Sequence, residues 1–216
     1  MKISGAIFDM DGTLLDSMYV WDDIGEKYLL SCGITPRASV AADIKDMSTS
    51  EAAEYFRKSY GLNKTNYEMG LGISALVEEK YRSEVLPKNG VIPLLQRLRA
   101  AGVKMCVATA TEMPIVEMVL EKNDMLQYFD EILTCTTAGA GKNQPMIYEK
   151  ALELLGTKKS ETPVFEDALY AVRTAKQAGF PLVGVYDPSS EHNQPEIIRL
   201  SDVYLQSFTD CGRLFE

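Results

Sequence analysis

Two rhythms of hydrophobic residues alternate along this chain. Short apolar runs, bounded by glycine or polar residues, read as buried strands: residues 3–8 with Ile3, Ala6, Ile7 and Phe8, residues 103–108, Glu131–Thr134, residues 164–165, residues 182–186 and Val203–Leu205. Between them, apolar positions recur every three or four residues, as one face of a helix requires. Val91, Leu94, Leu95 and Leu98 make one such face, stopped by Gly102. Ile115, Met118 and Val119 follow Pro114, which suits a first helical turn. Ile147, Ala151, Leu154 and Leu155 precede Gly156, and residues 168–178 precede Gly179. Strand and helix in alternation predict an α/β fold with a doubly wound, mostly parallel, Rossmann-like sheet covered on both faces.

One block breaks the alternation. A helix capped by Asp16 or Ser17 and carrying Val20, Ile24 and Tyr28 is expected to run to Gly33. Residues 36–46, 49–60 and 65–85 read as further helices, with Gly61, Gly70 and Gly72 as punctuation. No clear strand interrupts residues 16–87, so they are expected to form an all-helical inserted domain. Residues 1–15 and 88–216 are then the α/β core domain. Tyr19, Trp21 and Met47, at helical spacing, are expected in the core of the insert rather than facing a substrate.

The first strand ends in chemistry. Asp9 and Asp11 lie two residues apart at its C-terminal end, followed by Gly12. In extended chain such residues point the same way. Two carboxylates crowded there repel unless a cation or a shared proton intervenes, and Mg²⁺ prefers carboxylate oxygen. An Asp-Gly pair also marks a solvated turn. These residues by themselves leave both readings open.

Composition narrows the partners. The net charge of −9 argues against nucleic acid and anionic membrane, both of which attract basic surfaces. At 216 residues, 46% hydrophobic and 25% charged, the chain has the make-up of an ordinary globular protein with a full core. Cys32, Cys106, Cys135 and Cys211 lack Cys-x-x-Cys spacing, so free thiols in a reducing cytoplasm are expected. No signal peptide and no membrane-length apolar run is evident.

Phe8-Asp9-Met10-Asp11-Gly12-Thr13-Leu14-Leu15-Asp16-Ser17 resembles the first signature of the haloacid dehalogenase superfamily, in its phosphatase and β-phosphoglucomutase-like branch. The resemblance implies that Asp9 attacks phosphorus and that Asp11 serves as general acid and base. It also implies a helical cap, in place of residues 16–87, that closes over the active site. Three later segments resemble the remaining signatures in order. Thr109 ends a hydrophobic strand, where its hydroxyl could hold a phosphate oxygen or simply cap the next helix. Lys142 lies in a glycine-rich loop similar to Gly-Lys-Pro-x-Pro-Asp, with Asn143 and Met146 replacing Pro and Asp. Glu166 and Asp167 resemble the acidic pair of Glu-Asp-Ser-x-x-Gly, with Ala168 and Ala171 in place of Ser and Gly. Such a pair is costly to bury without a cation.

By this resemblance Mg²⁺ would be held by Asp9, Asp167 and the backbone carbonyl of Asp11, with Glu166 close by, while Lys142 and Thr109 bind phosphoryl oxygens. The expected activity is a Mg²⁺-dependent phosphatase for a small phosphorylated metabolite, such as a sugar phosphate, working through an aspartyl phosphate. A monomer without nucleic-acid or membrane partners is the expectation. The alternative is a sugar phosphomutase of the β-phosphoglucomutase type. Mutases of this branch carry a His in the first cap helix and an Arg in the cap. This chain has Trp21 and no Arg at residues 48–50, and its single histidine is His192. Asp11 speaks against the dehalogenases proper. A non-enzymatic module and a phosphonate hydrolase using Lys45, Lys58, Lys64 or Lys80 are the other classes considered.

Overall fold

The computed structural model describes residues 2–44, 47 and 49–215, and divides into two compact units, residues 1–17 with 85–216 and residues 18–84. Among the described residues the larger unit is built on eight strands: β1 (Gly5–Phe8), β2 (Leu15–Asp16), β3 (Leu86–Pro87), β4 (Lys104–Thr109), β5 (Glu131–Thr134), β6 (Val164–Glu166), β7 (Leu182–Val185) and β8 (Val203–Leu205). Six of them form one sheet in the order β5-β4-β1-β6-β7-β8, every pair parallel. Parallel sheets need cover on both faces, and β1 and β7 are accordingly buried at every position. A core cluster that includes Ile7, Cys106, Ala151, Val164, Val172 and Leu182 fills the space between strands and helices.

The topology places the reactive end. From β1 the chain moves outward to β4 and β5, then returns to the other side of β1 for β6, β7 and β8. Strand order thus reverses at β1, the kind of point where ligands bind beyond the carboxyl ends of strands. Phe8 pairs in register with Val107 of β4 and Phe165 of β6, and its ring stacks on that of Phe165 at 4.3 Å. The residues that follow these three strands therefore emerge side by side.

The β2–β3 ribbon departs from the expected all-helical stretch 16–87. Leu15 pairs with Pro87 and Asp16 with Leu86, antiparallel. Both strands group with the α/β unit, so the compact units divide after Ser17 and after Glu84. Two-residue strands have no periodicity to read, which is why the sequence does not announce them.

The smaller unit is helical: Tyr19–Asp22, Ile24–Ser31, Val40–Ile44, Thr49–Tyr60 and Asn66–Ser83. Tyr28, Leu29, Val40, Phe56 and Met69 are among its buried core. The first expected helix is broken at Asp23, and residues 36–39 precede rather than join the third. Lys45, Asp46 and Ser48, within stretches 36–46 and 48–50, lie outside the described residues. Gly70 and Gly72 do not punctuate; they sit inside helix Asn66–Ser83, which opens on a capping box between Thr65 and Glu68. A Cβ on Gly72 would come within 2.6 Å of the Tyr28 ring, so close packing explains a glycine there. Tyr19, Trp21 and Met47 are 40%, 45% and 37% exposed, not core as expected; the buried contacts of the unit are made by other residues.

Candidate active site

Asp9 follows β1 directly, and its backbone N–H donates to Phe165 O at 3.0 Å, extending the β1–β6 ladder by one residue. This bond points the chain past the sheet edge beside Glu166 and Asp167, which end and follow β6. All three acids are buried, at 7%, 1% and 3% exposure. One carboxylate oxygen from each lies within 4.8 Å of the other two. Lys142, 4% exposed, reaches in from the loop before helix Met146–Leu155 and binds both Asp9 Oδ1 and Glu166 Oε1, the latter at 2.6 Å.

The charges explain one another. Burial, opposed by Lys142 and assisted by Glu166, pushes the Asp9 carboxyl up from 3.8 to about 6. Asp167 is also raised, by burial first and then by the charges of Asp9, Glu166 and Asp187, with Lys88 opposing. Burial works against the Lys142 ammonium, but Asp9 and Glu166 outweigh it and hold its pKa above that of an ordinary lysine. One ammonium faces three buried carboxylates, which leaves unbalanced negative charge in low dielectric. An all-oxygen group of that charge suits a hard divalent cation.

Asp11 behaves differently from its neighbour. Gly12, at φ +80°, turns the chain as only glycine does easily, and Leu15 N–H closes the turn on Met10 O at 2.9 Å. The Asp11 carboxylate accepts from Ser17 Oγ at 2.7 Å and from Thr111 Oγ1 at 2.6 Å. The acidic triplet of Asp9, Glu166 and Asp167 does not include it. The two-residue spacing thus brings Asp11 to the same end of β1 but into a separate, hydroxyl-lined setting.

Thr109 ends β4 and is buried. Its Oγ1 accepts from Thr111 N–H at 3.1 Å, a local turn, and the next helix, Met113–Lys122, takes Glu112 rather than Thr109 as its N-cap. Two hydroxyl residues to which the sequence assigns no role join the candidate site. Thr13 Oγ1 donates to Asp167 Oδ1 at 3.1 Å, and Thr111 holds Asp11. Threonines in turns carry no local mark of such partners; only the second hydroxyl of Thr109-Ala110-Thr111 was there to be noticed. Behind Asp167, Lys88 donates to Tyr186 O at 2.6 Å and lies 2.8 Å from Asp187 Oδ2, an ion pair whose hydrogen bond goes to the carbonyl.

Cations of the helical unit have partners within that unit. Arg57 donates to Asn66 Oδ1 and Lys64 O, Arg37 to Ser59 O, and Arg82 to Glu78. Lys58 pairs with Glu54, Lys80 with Glu84, and Lys64 lies over the Tyr28 ring. Lys45 lies outside the described residues. The four cysteines are free, and no helix among the described residues is long and apolar enough to cross a membrane.

Known proteins share this arrangement of chain. The validoxylamine A 7'-phosphate phosphatase of Streptomyces hygroscopicus subsp. limoneus is 26% identical over 205 residues, covering 95% of this chain and 94% of that protein. The fructose-1-phosphate phosphatase YqaB of Escherichia coli is 26% identical over 193 residues, covering 85% and 97%. Among solved structures, CbbY from Rhodobacter sphaeroides in complex with phosphate superposes with a TM-score of 0.77 over 97% of this chain and 96% of its own. At 22% identity that likeness speaks for the fold. The sequence profile of the haloacid dehalogenase-like hydrolases matches residues 6–185, from β1 through β7 and so across Asp9, Asp11, Lys142, Glu166 and Asp167. The chain belongs to the haloacid dehalogenase-like hydrolase family.

Proposed function

We propose that this protein is a phosphatase that hydrolyses a small phosphorylated metabolite, a sugar phosphate being the leading class, through an aspartyl phosphate on Asp9. The observation that carries the reading is the buried Lys142 ammonium bound at once to Asp9 and Glu166, beside Asp167, where strand order reverses. The phosphatases among its relatives support the substrate class. Every reactive group named belongs to the α/β unit, and the division into that core and a helical insert is part of the reading.

Phosphoryl transfer needs an in-line nucleophile, neutralised phosphoryl oxygens and a proton for the leaving oxygen. The Asp9 carboxylate attacks phosphorus and the bond to the leaving alcohol breaks. Asp11 gives that alcohol its proton, then takes one from the water that cleaves the acyl phosphate, returning Asp9 and free phosphate. Lys142 holds phosphoryl oxygen and keeps Asp9 ionised. Thr109, at the end of β4, would do the same with its hydroxyl and the N–H groups of its turn. The unbalanced charge of Asp9, Glu166 and Asp167 fits Mg²⁺, which Asp9, Asp167 and, as the family resemblance implies, the Asp11 backbone carbonyl would hold, with Glu166 adjacent. Bound there, the ion would withdraw charge from the phosphoryl oxygens in the transition state. The four free thiols support a reducing cytoplasm as the setting, and a monomer is part of the proposal.

Hydrolysis of a simple aryl phosphate tests the reading. Activity is expected with Mg²⁺, loss with a chelator, and poor recovery with Ca²⁺, whose longer bonds and larger ligand number loosen the in-line geometry. Full activity without divalent ions overturns the metal assignment. Phosphorus NMR separates phosphatase from mutase. With β-glucose 1-phosphate and a trace of glucose 1,6-bisphosphate, the expected outcome is inorganic phosphate or no reaction. The described arginines of the helical unit are engaged with the unit's own residues, which disfavours a second phosphate grip. Accumulation of glucose 6-phosphate with little free phosphate replaces this reading by the mutase.

A further inference from the structure

Glu166 is more constrained on one oxygen than on the other. Its Oε1 accepts from Lys142 Nζ at 2.6 Å and from Tyr148 Oη at 3.1 Å. Its Oε2 receives only a long contact from Ala168 N–H, 3.4 Å. Tyr148 is fully buried, in the first turn of helix Met146–Leu155, with its ring tilted against Phe180 at 6.2 Å. The ring thus belongs to the core, while the hydroxyl reaches the site, which the packing of an aromatic side chain does not require. A phenol is a neutral donor, so its bond to a carboxylate adds no charge to a site already out of balance.

The terminal torsion of a glutamate is soft and roughly two-fold, so one donor, on a flexible lysine, leaves the carboxylate free to turn or exchange oxygens. Two donors converging on one oxygen from different elements define its plane. We infer that Tyr148 is a positioning residue: its hydroxyl locks the Glu166 carboxylate so that Oε1 stays on Lys142, between Glu166 and Asp9, and Oε2 is left for the cation side of the acidic group. The inference rests on the function proposed above for its metal consequence, and on geometry alone for the orientation of Glu166. Sequence reasoning passes over Tyr148, because an aromatic on the buried face of a helix reads as core.

Tyr148→Phe removes the oxygen and keeps the ring. The variant is expected to melt within a few degrees of the parent protein. A crystal structure without metal is expected to show the Glu166 carboxylate turned from its parental plane. Calorimetry of the metal-free proteins is expected to show Mg²⁺ binding weakened by roughly 10–100-fold, the range typical for groups that orient metal ligands. With an aryl phosphate the loss should then appear chiefly as a higher Mg²⁺ requirement, with little change in KM at saturating Mg²⁺. An unmoved Glu166, or a Mg²⁺ affinity within about twofold of the parent, overturns the proposal and leaves Tyr148 a core residue. If the parent hydrolyses no aryl phosphate, the functional reading fails, while the plane of Glu166 in the variant still decides for or against Tyr148.

Discussion

Asp9→Asn is expected to abolish turnover, by at least about 10⁴-fold in kcat, because the amide cannot form the acyl phosphate and no remaining group stands in its place. The same substitution is expected to raise the melting temperature of the metal-free protein. Asparagine keeps the shape of the side chain and removes one of three buried carboxylates that share a single ammonium. The pH dependence gives a sharper check. The Asp9 carboxyl sits near 3.8 in the unfolded chain and is pushed up to about 6 in the folded one, chiefly by burial. Between those values the folded state holds a proton that the unfolded state has released. This group therefore costs stability as pH rises through that window, and the full cost remains above it. Melting curves of parent and variant, taken without metal from below that window to neutral pH, should diverge in favour of the variant as pH rises. A constant difference overturns the assignment of Asp9 as a carboxyl destabilised by burial, and near-parental turnover means that another group attacks.

Lys142→Met is the second large effect, and it acts on stability and rate together. Methionine fills much of the same volume but leaves Asp9 and Glu166 buried without their counter-charge. Breaking a buried pair by removing one partner typically costs roughly 3–5 kcal/mol. The expected loss of kcat/KM is about 10²–10³-fold, the scale for one lost electrostatic contact to the transition state. Added Mg²⁺ should restore part of the lost melting temperature, since it supplies charge to the same carboxylates. Lys142→Arg should not restore activity, because a planar, wider guanidinium cannot occupy the point between two carboxylates that the ammonium fills. Chemical denaturation with and without Mg²⁺, alongside aryl phosphate kinetics, checks each part. An unchanged denaturation midpoint shows that the carboxylates do not depend on Lys142.

Much of the candidate site was legible because it is local. Asp9, Thr109, Glu166 and Asp167 each end or follow a short apolar run, and such runs bounded by polar residues mark strand ends directly. In a parallel sheet all those ends lie on one edge, so fold class and candidate residues come from the same pattern. Lys142 stood in a loop with partial resemblance only; Asn143 and Met146 change the loop's residues but leave the ammonium. The reading of Gly70 and Gly72 as breaks went astray because propensity is a weak prior inside a packed helix, and the Tyr28 ring occupies the space a Cβ beside it would need. Trp21 and Tyr19 were misjudged for a related reason: spacing shows that a residue shares a face, not which face is covered.

By itself the amino-acid sequence determined the alternation of strand and helix, the helical insert and the strand-end acids, since each depends on interactions within a few residues. Only the tertiary structure decided how those acids divide. It joined Lys142 to Asp9 across 133 positions and to Glu166 across 24, and it set Asp11 apart with Thr111 across 100 positions. It also turned the hydroxyls of Thr13 and Tyr148 toward Asp167 and Glu166. A hydroxyl or an ammonium has no preferred partner along the chain. Its partner is chosen by sheet order and register, which bring β1, β4 and β6 side by side, and by the cost of leaving a buried carboxylate unpaired.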